Sequence, residues 1–311
     1  MATGEEERRR LWSERGWSPA RATVLWAEEP LRCPTGDALP VSVVLGPEQL
    51  CTLQVRELPA PAAWAAPPPA SAVGEWDGPV LAVRGLRPPS TPGGAAVLDW
   101  APSGWLRATH ARRRSPGPRA GRLPPLGGPG RIDDLGVIVL AVDPDGRVLV
   151  ARRARALRWR GGGWTATASG AVDPVLDRGP QRVGLEVGLR AGARELAEEA
   201  ALLSHSLRSL RPLGLVREWR RGGKPELVLR AEIGRVPGFC LQPSDEVSAL
   251  RAIPDAELRA DPRLGGRADL PLRVALALHW THPQVPVRAA VPPLTGADQR
   301  SRLRAPGSRC R

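Results

Sequence analysis

Arg194-Glu195-Leu196-Ala197-Glu198-Glu199 is the stretch on which the reading of this chain turns. On a helix, Glu195, Glu198 and Glu199 stand at i, i+3 and i+4, so three carboxylates share one face. Like charges held that close raise one another's pKa and destabilise the helix unless something cationic sits among them. Hard divalent cations such as Mg²⁺ take oxygen ligands, keep some of their waters and bind substrate phosphates. The pattern points to a metal site built for phosphate chemistry. The competing reading is a solvated face of arginine–glutamate ion pairs.

The surrounding residues predict a helix beginning around Pro180, with Gly179 before it and Pro at the first helical position. Leu185, Leu189, Leu196 and Ala200 recur at helical spacing and supply an apolar stripe opposite the acids. Glu186 with Arg190, and Arg194 with Glu198, are spaced as i,i+4 ion pairs. Upstream, the apolar run Leu135 to Leu140, the turn Asp143-Pro144-Asp145-Gly146 and the run Val148 to Arg153 spell a β-hairpin. Downstream, Leu213 to Glu218 and Leu227 to Glu232 read as two strands joined by a Gly222-Gly223 loop. Leu270 to Trp280 has helical spacing and predicts a C-terminal helix on the sheet.

Arg194-Glu195-Leu196-x-Glu198-Glu199, preceded by Glu186, resembles the second half of the Nudix box of Nudix hydrolases. The hairpin resembles the first hairpin of that fold, where a strand often ends in a basic pair, here Arg152-Arg153. Trp164-Thr165-Ala166-Thr167-Ala168-Ser169-Gly170 looks like the segment that enters the box, and Asp245 to Pro254 like the closing strand. The sequence departs from the box twice. Gly170 stands sixteen residues before Glu186 where the box has six, so about ten residues are inserted, with Asp173 to Arg182 expected as a surface excursion. Ala201 replaces the glycine that ends the helix; a left-handed end costs a non-glycine residue about 1 kcal/mol.

The resemblance implies an α+β fold, a Nudix-type α/β/α sandwich with a mixed sheet. It implies hydrolysis of a pyrophosphate linkage in a nucleoside diphosphate joined to another moiety X, with Mg²⁺ or Mn²⁺ as cofactor. Carried over residue by residue, Glu195, Glu198 and Glu199 are the metal ligands, Glu195 and Glu199 with Arg194 form the catalytic set, and Arg194 orients the glutamates. Glu186 is a secondary ligand or a partner of Arg194, and Gly170 a backbone ligand. The base that takes the water's proton is one of the glutamates on the helix or one from a later loop: Glu218, Glu226, Glu232 or Glu246. Trp159 and Trp164 read as core residues before they read as base-stacking platforms. The alternatives are a non-hydrolytic Nudix-fold nucleotide-binding or regulatory module and a basic nucleic-acid-binding protein.

The chain's 311 residues leave room for more than this unit. Residues 1–107 are expected as a smaller β-rich domain, from the short runs Leu39 to Leu45, Leu50 to Val55 and Val80 to Val83. Seven of the eleven tryptophans fall there, namely Trp12, Trp17, Trp26, Trp64, Trp76, Trp100 and Trp105, and read as its core. Substrate binding, a homodimer contact and no site at all stay open as its role. Residues 108–131 read as an Arg/Pro/Gly-rich linker, 132–282 as the Nudix unit with its C-terminal helix, and 283–311 as a basic disordered tail.

A formal net charge of +13 would ordinarily suggest nucleic acid. Lys224, however, is the only lysine, tyrosine and asparagine are absent, and Phe239 is the only phenylalanine. All of these have AT-rich codons, so a GC-rich genome accounts for much of the arginine, and no aromatic–basic stacking pattern accompanies it. The expected partner is a small nucleotide, with no nucleic acid. Cys33, Cys51, Cys240 and Cys310 make no C-x-x-C or zinc spacing. No apolar run reaches membrane-spanning length and the acidic start Glu5-Glu6-Glu7 is unlike a secretion signal, so no membrane and a cytoplasmic location are expected. His110, His205, His279 and His282 are scattered; His279 and His282 read as a solvent-facing helix end before they read as ligands.

Overall fold

A computed structural model of the chain describes residues 29–32, 38–61, 78–87, 95–114, 123, 126–127, 131–155, 161–178, 185–202, 206–235 and 246–282. The expected hairpin is strands β7 (Gly136–Val142) and β8 (Arg147–Arg153). Its turn is closed by Gly146 N–H donating to Asp143 O at 3.0 Å, with Gly146 in the left-handed region at φ 74°. Every residue of β7 is buried, as a central strand covered on both faces requires, which is why its sequence is a continuous apolar run. The two later strands are β11 (Leu207–Glu218) and β12 (Lys224–Ile233), joined through a 3-10 turn at Trp219–Arg221. The closing strand is β13 (Val247–Pro254).

Together with β1 (Glu29–Arg32), β2 (Ala38–Leu45), β9 (Trp164–Thr165) and β10 (Ala168–Ala171), these strands form one nine-stranded sheet among the described residues. Its order is β1-β2-β11-β12-β7-β8-β13, with β10 also on β7 and β9 on β8. The pair β12–β7 is parallel and the rest antiparallel, so the sheet is mixed.

Helix α3 (Glu186–Ala200) covers one face and α5 (Leu270–Thr281) the other. Leu189, Leu196 and Ala200 of α3 are buried against Val137, Val139, Leu227 and Leu229. Val274, Leu276 and Leu278 of α5 lie with Ile138, Leu140, Leu213 and Val228. The alternation along β7 sends odd residues to one helix and even residues to the other. Short α4 (Asp255–Ala260) follows β13 directly.

The described N-terminal strands divide between the main sheet and a second one. β2 pairs with β11 of the main sheet, and Trp219 Nε1 donates to Ser42 Oγ at 2.7 Å across that seam. After helix α1 (Pro47–Cys51), a second sheet runs in the order β3 (Gln54–Glu57), β5 (Val97–Gly104), β4 (Pro79–Arg87), β6 (Asp133–Asp134). Its Leu81, Val83, Leu98 and Trp100 belong to the same core cluster as Leu135, Leu189 and Leu196. The runs at 39–45 and 80–83 are strands, as expected, whereas 50–55 divides between the end of α1 and β3. Trp100 is core and Trp105 half-buried; Trp12, Trp17, Trp26, Trp64, Trp76 and Trp159 lie outside the described residues. The stretch expected as a linker opens inside helix α2 (Trp105–Arg114). Its remainder lies largely, and the tail after 282 wholly, outside the described residues.

A charged network ties the two sheets. Lys224 Nζ meets Glu226 Oε1 at 2.5 Å and Asp134 Oδ2 at 3.8 Å, Arg221 reaches Glu226 at 3.0 Å, and Arg131 pairs with Asp133. Gly136 lies against this network: a Cβ there would sit 1.9 Å from Glu226 Oε2. Buried charges of this kind persist only when each has a partner.

Candidate functional site

Helix α3 begins at Glu186; the start expected at Gly179-Pro180 lies outside the described residues. It ends at Ala201, which takes the left-handed conformation (φ 51°) despite its side chain, with Leu202 N–H reaching back to Leu196 O at 3.1 Å. This is the termination that glycine serves at lower cost. Between these ends the acidic turn lies against β10.

Glu195 and Glu199 point inward and are 7% and 8% exposed. Ser169 N–H donates to Glu199 Oε2 at 2.8 Å. Glu195 rests on Gly170, where a Cβ would stand 2.0 Å from its Oε1 and 2.2 Å from its Cδ, so any side chain there would displace the carboxylate from this position. Gly170 is thus beside the cluster, and its evident service is space. Burial, against the pull of Arg194 and with smaller repulsion from Glu198 and Asp177, pushes the Glu195 carboxyl up to about 7; Glu199 is raised too, by burial and then by Glu195.

Glu198 does not join them. Its side chain is 57% exposed and its carboxylate sits 3.1 Å from Arg194 Nη1. Among the described residues no three His, Cys, Asp or Glu side chains meet as a ready metal cage. Of the three glutamates expected as ligands, Glu195 and Glu199 turn inward together, while the helix turn sends Glu198 to the surface. Glu186 is half-buried at the first helical residue, and no ion pair with Arg190 or Arg194 forms among the described residues.

Arg194 finds a different partner. Its Nε and Nη2 donate to Asp177 Oδ1 and Oδ2 at 2.9 and 3.0 Å, a bidentate fork, and Nη1 donates to Glu195 Oε1 at 2.7 Å. Nη2 also donates to Ala171 O at 2.9 Å. Burial alone would lower the guanidinium's pKa, but Asp177, Glu195 and Glu198 raise it, so the cation is permanent. Asp177 is 1% exposed, with burial pushing its carboxyl up against the pull of Arg194. The segment expected as a surface excursion thus carries, over 173–178, a buried acid that anchors the box arginine. Asp177 falls seven residues after Gly170, one beyond the box spacing, which was the available signal.

Of the four candidate bases from later segments, Glu226 is engaged by Lys224 and Arg221, Glu232 by Arg230 and Ser209, and Glu218 lies 3.8 Å from Arg221. Glu246, exposed just before β13, is the one near enough to Glu199 to help raise its pKa. The residues fit a hard divalent cation on the chemistry of the donors: two buried carboxylates that repel each other, in a recess that exists because position 170 lacks a Cβ.

His279 is not solvent-facing. It is buried with Nδ1 3.3 Å from Arg230 Nη1 and Nε2 3.7 Å from Asp255 Oδ1, across the sheet from the acids. His282 ends α5. Cys51 is exposed; Cys33, Cys240, Cys310 and His205 lie outside the described residues, as does the His110 side chain. No helix among the described residues is long and apolar enough to cross a membrane.

No family model matches the chain, and no curated protein matches it in sequence. Solved structures do resemble it. A MutT protein from Methanosarcina mazei Go1 is 15% identical over 49% of this chain and 96% of that one, with a TM-score of 0.34. A Nudix hydrolase from M. smegmatis is 18% identical over 50% and 88%, with a TM-score of 0.32. An Ap4A hydrolase from C. elegans is 15% identical over 47% and 98%, with a TM-score of 0.30. At such identities and scores the likeness is one of outline. The chain's own mixed sheet lies between α3 and α5, with the Arg194-to-Glu199 turn laid on β10, which makes this unit an α/β/α sandwich.

Proposed function

We propose that the chain is a metal-dependent diphosphohydrolase, cutting a pyrophosphate linkage in a nucleoside diphosphate joined to another moiety X. The observation that carries this reading is the pair Glu195 and Glu199, both buried, Glu195 resting on Gly170, and both raised in pKa chiefly by burial, with Glu195 adding to the rise of Glu199. Two acids in that state gain from an incoming cation what they lose to repulsion. Bound Mg²⁺ or Mn²⁺ would neutralise the diphosphate and acidify the attacking water. Glu195 and Glu199 would hold it, with Arg194 fixing Glu195 through the 2.7 Å bond. Glu246, beside Glu199 and open to solvent, would take the water's proton. Glu198 would serve from the rim.

The test is release of the two phosphorylated fragments, a nucleotide and its phosphorylated partner or pyrophosphate, from nucleoside diphosphate sugars, ADP-ribose, dinucleoside polyphosphates and dNTPs with Mg²⁺. Turnover that falls about 100-fold or more in Glu199→Gln, with the variant still folded, supports the enzyme. A second reading, a nucleotide-binding module without turnover, draws on Glu198 lying at the surface on Arg194. Nucleotide binding with no release from any substrate of the panel would favour it.

A further inference from the structure

Arg194 is a cation 2.7 Å from a carboxylate proposed to hold a metal, and left alone it would compete with that metal for Glu195. Its other edge is taken by Asp177 through two bonds of 2.9 and 3.0 Å. A bidentate pair fixes the plane of the guanidinium and offsets its charge. Asp177 in turn is locked. Its Oδ2 accepts from Asp173 N–H at 2.8 Å, and its own N–H donates to Asp173 O at 3.0 Å. Asp173 Oδ1 accepts from Val175 and Leu176 N–H, which closes the turn.

The turn hangs from the N-terminal sheet. Leu81 N–H of β4 donates to Val172 O at 2.8 Å, and both residues are fully buried. Val172 N–H donates to Leu135 O at 3.0 Å, and Leu135 N–H to Leu81 O at 2.9 Å, so three segments interlock in front of the turn. At its far side Arg178 reaches Glu57 of β3 at 2.6 Å; that pair is exposed and of minor weight.

We propose that Asp177, held by the N-terminal sheet, is a positioning residue: it occupies Arg194 so that the guanidinium aims Glu195 while leaving that carboxylate's charge for a divalent cation. This rests on the hydrolase reading of the site, and it gives the N-terminal sheet a part in it.

The experiment measures Mn²⁺ binding, the metal alone, by electron paramagnetic resonance on the full chain, with thermal melts of each variant. Asp177→Asn is expected to weaken Mn²⁺ binding about tenfold, the range found for residues that orient metal ligands. Adding Arg194→Gln to Asp177→Asn is expected to recover part of that loss, because the uncompensated cation is gone. Arg194→Lys is expected to weaken binding as well, since an ammonium cannot span Asp177 and Glu195 together. Asp177→Asn that melts and binds Mn²⁺ like the wild type overturns the proposal, as does a double variant no better than the single. Should Asp177→Asn fail to fold, Arg194→Lys decides: weakened binding upholds the proposal and wild-type binding overturns it. A wild-type chain that binds no Mn²⁺ overturns both this proposal and the metal reading of the site, whereas wild-type binding with an indifferent Asp177 overturns this proposal alone.

Discussion

A methyl group at position 170 would stand within 2.5 Å of both Glu195 oxygens and its Cδ, so the whole carboxylate would have to move. Gly170→Ala is therefore expected to cost about 100-fold in turnover, the scale of a displacement near 1 Å. The melting temperature should change little beside that, and steady-state kinetics with a melt separates the two. On the opposite face, His279 sits among Arg230, Asp255, Arg211 and Arg259; burial first and Arg230 second hold its pKa down at about 4, against an ordinary 6.5. Arg230 can only donate, so Nδ1 accepts and the ring is neutral. Between pH 6.5 and 4 the unfolded chain takes up a proton that the folded chain refuses. The contribution of His279 to stability is therefore full above pH 6.5 and falls by up to about 3 kcal/mol on acidification through that window, while the raised carboxyls of Glu195 and Glu199 act in the opposite sense there. The difference between wild-type and His279→Gln urea melts across pH 4 to 7 should isolate the His279 slope.

At the scale of elements, the end of α3 holds a correctable strain. Ala201 is exposed and left-handed, so its methyl group contributes no packing while it opposes the backbone. Ala201→Gly is expected to stabilise the chain by up to about 1 kcal/mol, read as a rise in melting temperature. Elements that declare themselves by local pattern were legible in the sequence: the apolar run of β7, the Asp143-to-Gly146 turn and the i, i+3, i+4 acids of α3. The start of α3 at Glu186 was not, because ten residues of insertion hide it. Nor was the turn of Asp173 and Asp177, whose acids look like surface residues until tertiary contact supplies Arg194. Glu198 shows the reverse: helical spacing places it with Glu195 and Glu199, yet exposure and the pull of Arg194 separate it from them.

Across the whole molecule, the pairing of β2 with β11 joins residues about 170 positions apart, a relation no local periodicity records. The same holds for the core that Leu45, Leu81, Leu98 and Trp100 share with Leu189 and Leu196. A fragment limited to 132–282 would lose the partner of β11 and several buried side chains, each worth about 2–5 kcal/mol against a total stability of about 5–15 kcal/mol. It is expected to give no cooperative transition in scanning calorimetry, whereas the full chain gives one. Lys224 closes the account at this scale. As the sole lysine, 5% exposed and clasped by Glu226, it leaves the chain without an accessible side-chain amine. Biotinylation, amine cross-linkers and succinimide-coated surfaces will therefore find no side-chain foothold, whereas among the described residues the exposed thiol of Cys51 offers one to a thiol-directed fluorophore or tether.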